Sequence, residues 1–155
     1  MKVLRPILVL LVLAAAPALV FLGGRVSRPP IFDRGWTLEG AIEESRKTGR
    51  PVVAFATADW CDPCRQMKKG TLRDPRVAGF LRARALPVYV DIDRDEAAAS
   101  LLKVTGIPAT VILAGDTIVA RSTGYLEPEN YLGFLDAAVG AASDPGEVER
   151  LRGLR

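Results

Sequence analysis

The residues best suited to chemistry in this chain are its only two cysteines, Cys61 and Cys64, which two residues separate. Two thiols at this spacing can close into a disulfide, or open again, without rearranging the fold around them. A count of two cysteines also excludes a small scaffold held together by several disulfides. The pair therefore predicts a dithiol–disulfide switch.

Zinc is the usual alternative for a Cys-x-x-Cys pair. A structural zinc site normally takes four protein ligands, whereas this sequence offers two Cys and no His. Carboxylates or a second chain would have to complete such a site, so we expect no metal and no other cofactor. The absence of histidine also excludes Ser–His and Cys–His catalysis, which leaves nucleophilic chemistry to the cysteines themselves.

The net charge of +3 belongs to the N-terminus rather than to the body of the chain. The first 28 residues hold Lys2, Arg5, Arg25 and Arg28 and no acid, and the remainder holds 17 basic against 18 acidic residues. The body therefore has no basic footprint for nucleic acid, and we expect no nucleic-acid partner.

The N-terminal segment is apolar: residues 6–24 run for 19 positions without a charge. A helix of that length spans about 28 Å, roughly one hydrocarbon core. As a signal peptide it would be cleaved near Ala16-Pro17-Ala18, but the apolar run continues to Leu22, which favours an uncleaved signal anchor over residues 1–24. We expect an exported domain on the bacterial inner membrane that faces the periplasm or cell exterior, or a periplasmic or secreted domain if the signal is cleaved.

Three further parts follow the apolar segment. Residues 25–35 are interpreted as a linker that Pro29-Pro30 stiffens, and residues 143–155 as a polar C-terminal tail. Residues 36–142 form the predicted α/β domain, a central mixed sheet flanked by helices on both faces. Its strands are predicted at 51–56, 86–92, 109–113 and 117–121, and its helices at 37–48, at 61–70, from Asp74-Pro75 onward, from Ala97 to Gly106, and around Leu132 to Val139.

A buried strand that leads directly into a helix places Cys61 at the helix N-terminus. Unpaired backbone N–H groups and the helix dipole stabilise a thiolate there, and they lower the pKa of such a cysteine to between about 3.5 and 7.5. Cys64 lies one turn later and faces inward, so Cys61 is the predicted attacking thiol and Cys64 the resolving thiol. An inert buried pair or a static structural disulfide is the alternative.

Two motifs together resemble the thioredoxin family: Trp60-Cys61-Asp62-Pro63-Cys64 and, some 40 residues later, Gly106-Ile107-Pro108-Ala109-Thr110. The resemblance covers Trp36 to about Ala142 and implies a thioredoxin fold. Within that family, residues 58–61 and 71–77 are similar to the C-terminal thioredoxin-like domain of the thiol:disulfide interchange proteins called DsbD, which are bacterial transmembrane reductant carriers.

The resemblance also implies a substrate-docking edge. Ile107-Pro108 corresponds to the cis-proline loop of the family, whose backbone is free to pair with an extended substrate segment beside Cys61. Trp60, next to the nucleophile, is expected to form part of this surface. A trans Pro108 at a strand edge and a Trp60 in the core are the alternatives.

The sequence departs from the family at two proton-handling positions. Phe55 stands six residues before the first cysteine, where thioredoxins usually carry a buried acid, and Lys68 stands where the DsbD-like domain carries a second acid. Asp59 is left as the candidate proton-handling residue. We expect slower resolution of mixed disulfides, and a lower pKa for the Cys61 thiol if Lys68 or Lys69 approaches it.

These observations predict an exported, membrane-tethered thiol–disulfide oxidoreductase that reduces or exchanges disulfides in proteins. The dipeptide Asp62-Pro63 lacks the histidine of the strong oxidase and isomerase motifs, which favours the reducing direction. The expected partners are proteins with cysteines or disulfides, a transmembrane reductant carrier, and the membrane through residues 6–24. A dithiol oxidase and a non-catalytic thioredoxin-like binding module are the alternatives.

Overall fold

The structure is a computed structural model that describes residues 26–154. It contains six helices of the α type and four strands among these residues. In chain order they are α1 Leu38–Thr48, β1 Val52–Thr57, α2 Asp62–Lys69, α3 Pro75–Arg84, β2 Leu86–Asp91, α4 Glu96–Leu101, β3 Ala109–Ala114, β4 Thr117–Thr123, α5 Pro128–Ala142 and α6 Pro145–Arg152. Short 3₁₀ helices lie at Pro30–Phe32 and Thr71–Arg73.

The four strands form one mixed sheet in the order β2-β1-β3-β4. β1 pairs in parallel with β2 and antiparallel with β3, and β3 pairs antiparallel with β4. All six residues of β1 are buried, as predicted for a strand covered on both faces. The predicted α/β fold with a central mixed sheet is confirmed.

Two hydrophobic cores cover the two faces of the sheet, because successive strand residues point to opposite sides. On one face Phe55 packs with side chains of α2, α3 and α5. On the other face Ala54 packs with side chains of α1 and α4. The sheet is therefore held between helical layers, and β1 delivers its C-terminal end to the edge at which α2 begins.

The helix starts follow local capping chemistry. Thr37 caps α1 through its side-chain oxygen, which accepts from the N–H of Gly40, and Asp74 caps α3 with Pro75 at the first helical position, as predicted. The predicted end of α4 at Gly106 is wrong. The helix ends at Leu101, because Lys103 takes a left-handed φ of 51° and the N–H of Val104 turns back to the carbonyl of Ala99.

The segment interpreted as a linker is packed onto the domain where the structure describes it. Ile31 is 5% exposed and Phe32 is 1% exposed, and both belong to the core under α2, α3 and α5. The ring of Phe32 lies 6.2 Å from that of Phe55 and 5.5 Å from that of Tyr89. Residues 30–32 therefore behave as part of the domain.

The C-terminal segment, interpreted as a polar tail, contains the helix α6. Asp144 caps this helix, and Val148 within the helix is buried. Arg152 donates from Nε to the hydroxyl of Thr117 on β4 at 3.2 Å, so the helix contacts the edge strand of the sheet.

The predicted apolar span over residues 6–24 lies outside the described residues. Within residues 26–154 no helix has the length and apolar character needed to cross a membrane.

Candidate active site

Cys61 and Cys64 form a disulfide in the structure. The sulfurs are 2.10 Å apart and the two Cα atoms are 5.2 Å apart. Cys61 is 5% exposed, whereas Cys64 is completely buried. A partner that approaches from solvent therefore meets the sulfur of Cys61 first.

The start of α2 provides this disulfide with a backbone hydrogen-bond donor. Cys61 is the N-cap residue of α2, and its Sγ accepts from the N–H of Cys64 at 3.2 Å. Pro63 lies in the first turn, where its missing N–H removes no helical hydrogen bond. A sulfur in this position gains stabilisation as an anion from the N–H groups and from the helix dipole. The geometry thus favours a Cys61 thiolate when the disulfide opens.

The predicted docking loop lies at the same edge of the sheet. The Ile107–Pro108 peptide bond is cis. Ala109 pairs with Ala56 near the end of β1, so Pro108 stands beside the strand that leads to Cys61. The carbonyl of Pro108 accepts from the N–H of Gly124 at 2.8 Å, whereas no inter-element backbone bond in the described part of the chain involves the N–H or C=O of Ile107.

Trp60 lies on the surface rather than in the core. It is 65% exposed, the largest exposed aromatic side chain among residues 26–154. Its Nε1 donates to Oδ2 of Asp93, at 2.9 Å, in the loop that follows β2. The indole therefore stands beside Cys61 as an apolar surface that a single polar anchor orients.

A cluster of charged and polar groups includes two residues that flank the cysteine pair in the sequence, Asp59 and Lys68. The Nζ of Lys68 is 3.6 Å from Oδ1 of Asp59 and 3.4 Å from the hydroxyl of Tyr89. The Lys68 side chain has no exposure, while that of Asp59 is 38% exposed. Burial, with the charges of Asp91 and Asp59, raises the pKa of Tyr89, so its hydroxyl stays protonated. Lys69, by contrast, is exposed.

Phe55 occupies the position where the family usually carries a buried acid. It has no exposure, and its ring lies 6.3 Å from that of Tyr89. The interior beneath the cysteines is therefore apolar at this point. The charged groups sit on α2 and in the loop that precedes it instead.

Sequence reasoning missed the contribution of the N-terminal segment to this region. The guanidinium of Arg28 lies 4.9 Å from the ring centroid of Tyr89, and Ser27 accepts from Nη2 of Arg73 at 2.9 Å. A cavity of about 400 Å³ is lined by residues of this segment together with Asp59 and Tyr89. The adjacent apolar pair Ile31-Phe32, within an otherwise polar stretch, was the signal that could have revealed this docking.

No group of three or more Cys, Asp or Glu side chains within residues 26–154 has the arrangement of a metal site. The arrangement that is present can carry out exchange between thiols and disulfides. Its parts are an accessible sulfur at a helix N-terminus, a buried second sulfur one turn later, and an exposed edge beside both. A mixed α/β sheet that carries these parts defines a protein of the thiol–disulfide exchange class.

Comparison with known proteins places the chain in a family. A family model described as a thioredoxin-like domain matches residues 38–139. The chain therefore belongs to the thioredoxin-like family, which confirms the resemblance seen in the sequence. Membership of this family and a Cys-x-x-Cys pair at disulfide distance together support protein-disulfide oxidoreductase activity.

Individual relatives agree with this assignment. The chain is 32% identical over 110 residues to the thiol:disulfide interchange protein DsbD of Ralstonia nicotianae, an alignment that covers 68% of this chain and 18% of that protein. It is 31% identical over 88 residues to thioredoxin 1 of Chlorobaculum tepidum, covering 57% of this chain and 81% of the relative. The chain thus spans less than a fifth of the length of the DsbD relative.

Solved structures show the same fold. A thioredoxin from Thermus thermophilus superimposes with a TM-score of 0.61 at 27% identity, covering 70% of this chain and 91% of that one. An oxidoreductase named DsbH superimposes with a TM-score of 0.60 at 19% identity, covering 76% of this chain and 88% of that one. The second likeness concerns the fold alone.

Proposed function

We propose that this protein is an exported, membrane-tethered thiol–disulfide oxidoreductase that reduces or exchanges disulfides in client proteins. The observation that carries the proposal is the asymmetry of the cysteine pair. Cys61 retains 5% exposure at the N-terminus of α2, and Cys64 lies fully buried one turn behind it. A catalytic pair needs this division between an attacking and a resolving sulfur.

In the proposed reaction the thiolate of Cys61 attacks one sulfur of a client disulfide. A Cys61–client disulfide forms, the client S–S bond breaks, and the second client sulfur leaves as a thiolate that takes a proton. Cys64, as a thiolate, then attacks the sulfur of Cys61 and releases the first client sulfur, which is also protonated. Two electrons and two protons thus pass from the dithiol to the client, and the Cys61–Cys64 disulfide remains.

Client recognition in this proposal uses the edge formed by Trp60, Ile107 and Pro108. The Ile107 backbone, which makes no inter-element backbone bond within residues 26–154, would pair with an extended client segment. The exposed indole of Trp60 would cover the apolar part of that segment. Asp59, partly exposed beside the disulfide, is the proposed route for protons between Cys64 and water.

Three features support the reducing direction and the location. Asp62-Pro63 lacks a histidine between the cysteines, the relatives named DsbD are thiol:disulfide interchange proteins, and residues 6–24 carry no charge. A reductase outside the cytoplasm needs electrons, so a transmembrane reductant carrier is the proposed donor. In this proposal the apolar segment holds the domain at the membrane that contains this donor.

Trapping tests the reaction. A Cys64→Ala variant expressed in a bacterial host should accumulate disulfide-linked adducts with client proteins, because the resolving thiol is absent. The matched Cys61→Ala variant should accumulate few, since the remaining sulfur is buried. The absence of adducts from Cys64→Ala would instead favour a non-catalytic binding module.

The reduction potential of the pair tests the direction. A value of about −270 mV, the range of thioredoxin, fits a reductase, whereas one of about −120 mV fits a dithiol oxidase.

Fractionation of cells that express the full chain tests the tether. The protein should remain with the membrane after a high-salt wash, and release into the soluble periplasmic fraction would show that the segment is cleaved.

A further inference from the structure

Lys68 is the one charged side chain that is fully buried among residues 26–154. An ammonium group in the interior loses its hydration, and such groups persist where they are paired or serve a function. The pairing here is incomplete. The Asp59 carboxylate lies 3.6 Å away and is 38% exposed, and the Tyr89 hydroxyl is a neutral partner at 3.4 Å.

The position of Lys68 on α2 brings this charge close to the redox pair. Lys68 follows Cys64 by four residues, so the two side chains lie one above the other on the same helix face, with Cβ atoms about 5–6 Å apart. Both side chains are completely buried. The ammonium is therefore on the order of 10 Å or less from the sulfurs, without intervening bulk water.

The two charges of the ion pair act unequally on the sulfurs. Water screens the field of the partly exposed Asp59 carboxylate, while the field of the buried Lys68 ammonium is screened far less. A net positive field stabilises negative charge on sulfur, and negative charge on sulfur exists only in the dithiol form. Stabilising the reduced form makes a disulfide a stronger oxidant.

We propose that Lys68 sets the redox equilibrium of the Cys61–Cys64 pair by stabilising its thiolate form, and that Asp59 opposes this effect. Lys68 acts as a positioning charge, since it acts through the cysteines. The inference rests on the proposed redox activity of the pair and adds a residue that controls it. Phe55 strengthens the effect, because no buried carboxylate at that position cancels the lysine charge.

The test is the equilibrium of each purified full-length variant with glutathione. In this reaction the protein disulfide and two reduced glutathione molecules give the protein dithiol and one oxidised glutathione, and alkylation followed by mass measurement counts the two protein forms. A unit charge on the order of 10 Å from the sulfurs, at an effective dielectric constant near 20, changes the equilibrium constant of this reaction by about tenfold. A tenfold change corresponds to about 30 mV.

Lys68→Gln should lower the constant for reduction about tenfold, and Asp59→Asn should raise it. The double variant should lie between the two single variants. Lys69→Gln provides the matched control, because Lys69 is the adjacent lysine and is exposed; it should stay within about twofold of the parent. Lys68→Arg, which keeps the charge, should restore the constant toward that of the parent.

Equal effects of Lys68→Gln and Lys69→Gln, or a shift in the same direction for Lys68→Gln and Asp59→Asn, would overturn the proposal. If Lys68→Gln does not fold, the sign of the Asp59→Asn shift and the value for Lys68→Met decide the outcome. Client trapping by Cys64→Ala is read separately. Constants that move as expected without trapped clients would reject the proposed function and leave the role of Lys68 standing.

Discussion

The indole Nε1 of Trp60 donates a hydrogen bond to Oδ2 of Asp93 at 2.9 Å, which links the residue before the accessible cysteine to the loop that follows β2. The two residues are 33 positions apart in the chain. Because the indole is 65% exposed, few packing contacts fix its orientation, and this bond is its polar anchor. The contact therefore holds an exposed apolar surface beside Cys61 in a defined position, where the proposed function places client docking.

Replacing Asp93 tests this anchor. Asp93→Ala should raise KM for the reduction of a protein disulfide about fivefold to tenfold, since the bond contributes about 1–1.4 kcal/mol to holding the indole in place. The reaction of Cys61 with a small disulfide should keep its rate, because a small molecule does not need the proposed docking surface. Asp93→Asn retains an acceptor oxygen and serves as the control, with a KM near that of the parent. A KM effect of equal size on both kinds of substrate would contradict this role for Trp60.

The buried ring of Phe32 provides a test of the N-terminal segment as part of the fold. Phe32→Ala should lower the free energy of unfolding by about 3–5 kcal/mol, because it removes a fully buried aromatic side chain and leaves a cavity beside Phe55 and Tyr89. Urea unfolding followed by circular dichroism measures the change. The exposed neighbour Arg34 is the control, and Arg34→Ala should change stability by less than about 0.5 kcal/mol. A loss below about 1 kcal/mol for Phe32→Ala would show that the segment is only a tether.

The buried hydroxyl of Tyr131 leads us to expect that the protein loses stability at alkaline pH. Burial raises the pKa of Tyr131 to about 12, from an ordinary value of 10, and its hydroxyl lies 3.1 Å from that of Thr110. The pKa of Tyr131 is higher in the folded chain than in the unfolded chain. The contribution of Tyr131 to the free energy of unfolding is therefore complete below pH 10. It is lost as the pH rises from 10 to 12, because the unfolded chain ionises first. Two pKa steps correspond to at most about 2.7 kcal/mol.

Urea unfolding of the parent and of Tyr131→Phe between pH 8 and pH 11.5 measures this contribution. The variant should be less stable by about 1–2 kcal/mol at pH 8, because the buried Thr110 hydroxyl loses its partner. Its stability should then fall less steeply than that of the parent above pH 10. Parallel curves across the whole range would show that Tyr131 ionises equally in the folded and unfolded chains.

Ser45 anchors the hairpin between β3 and β4. Its buried hydroxyl accepts from the N–H of Gly115 at 3.0 Å, across 70 positions of sequence. Ser45→Ala should lower the free energy of unfolding by about 1–3 kcal/mol, since it leaves the buried N–H of Gly115 without a partner. Thermal unfolding measures the loss, and Lys47→Ala on the exposed side of α1 is the control, with an expected change within about 0.5 kcal/mol. Equal changes in the two variants would mean that water satisfies Gly115 after the substitution.

The sequence alone determined the parts of this protein that depend on local pattern. A continuous apolar run predicts β1, the Asp74-Pro75 pair predicts the start of α3, and the spacing of Cys61 and Cys64 predicts their disulfide, because each signal lies within a few consecutive residues. The absence of an acid at Phe55 and the presence of Lys68 could likewise be read directly from the residues.

Only the tertiary structure decided which distant side chains meet. Three features depend on contacts between residues far apart in the chain. They are the burial of Ile31 and Phe32, the hydrogen bond between Trp60 and Asp93, and the packing of α6 against β4. Lys68 shows the physical reason most clearly. A lysine near the end of an amphipathic helix usually extends into water, and here the folded chain encloses it beside Asp59 and Tyr89. Residue type supplies the charge, while burial decides how far that charge acts on the two sulfurs.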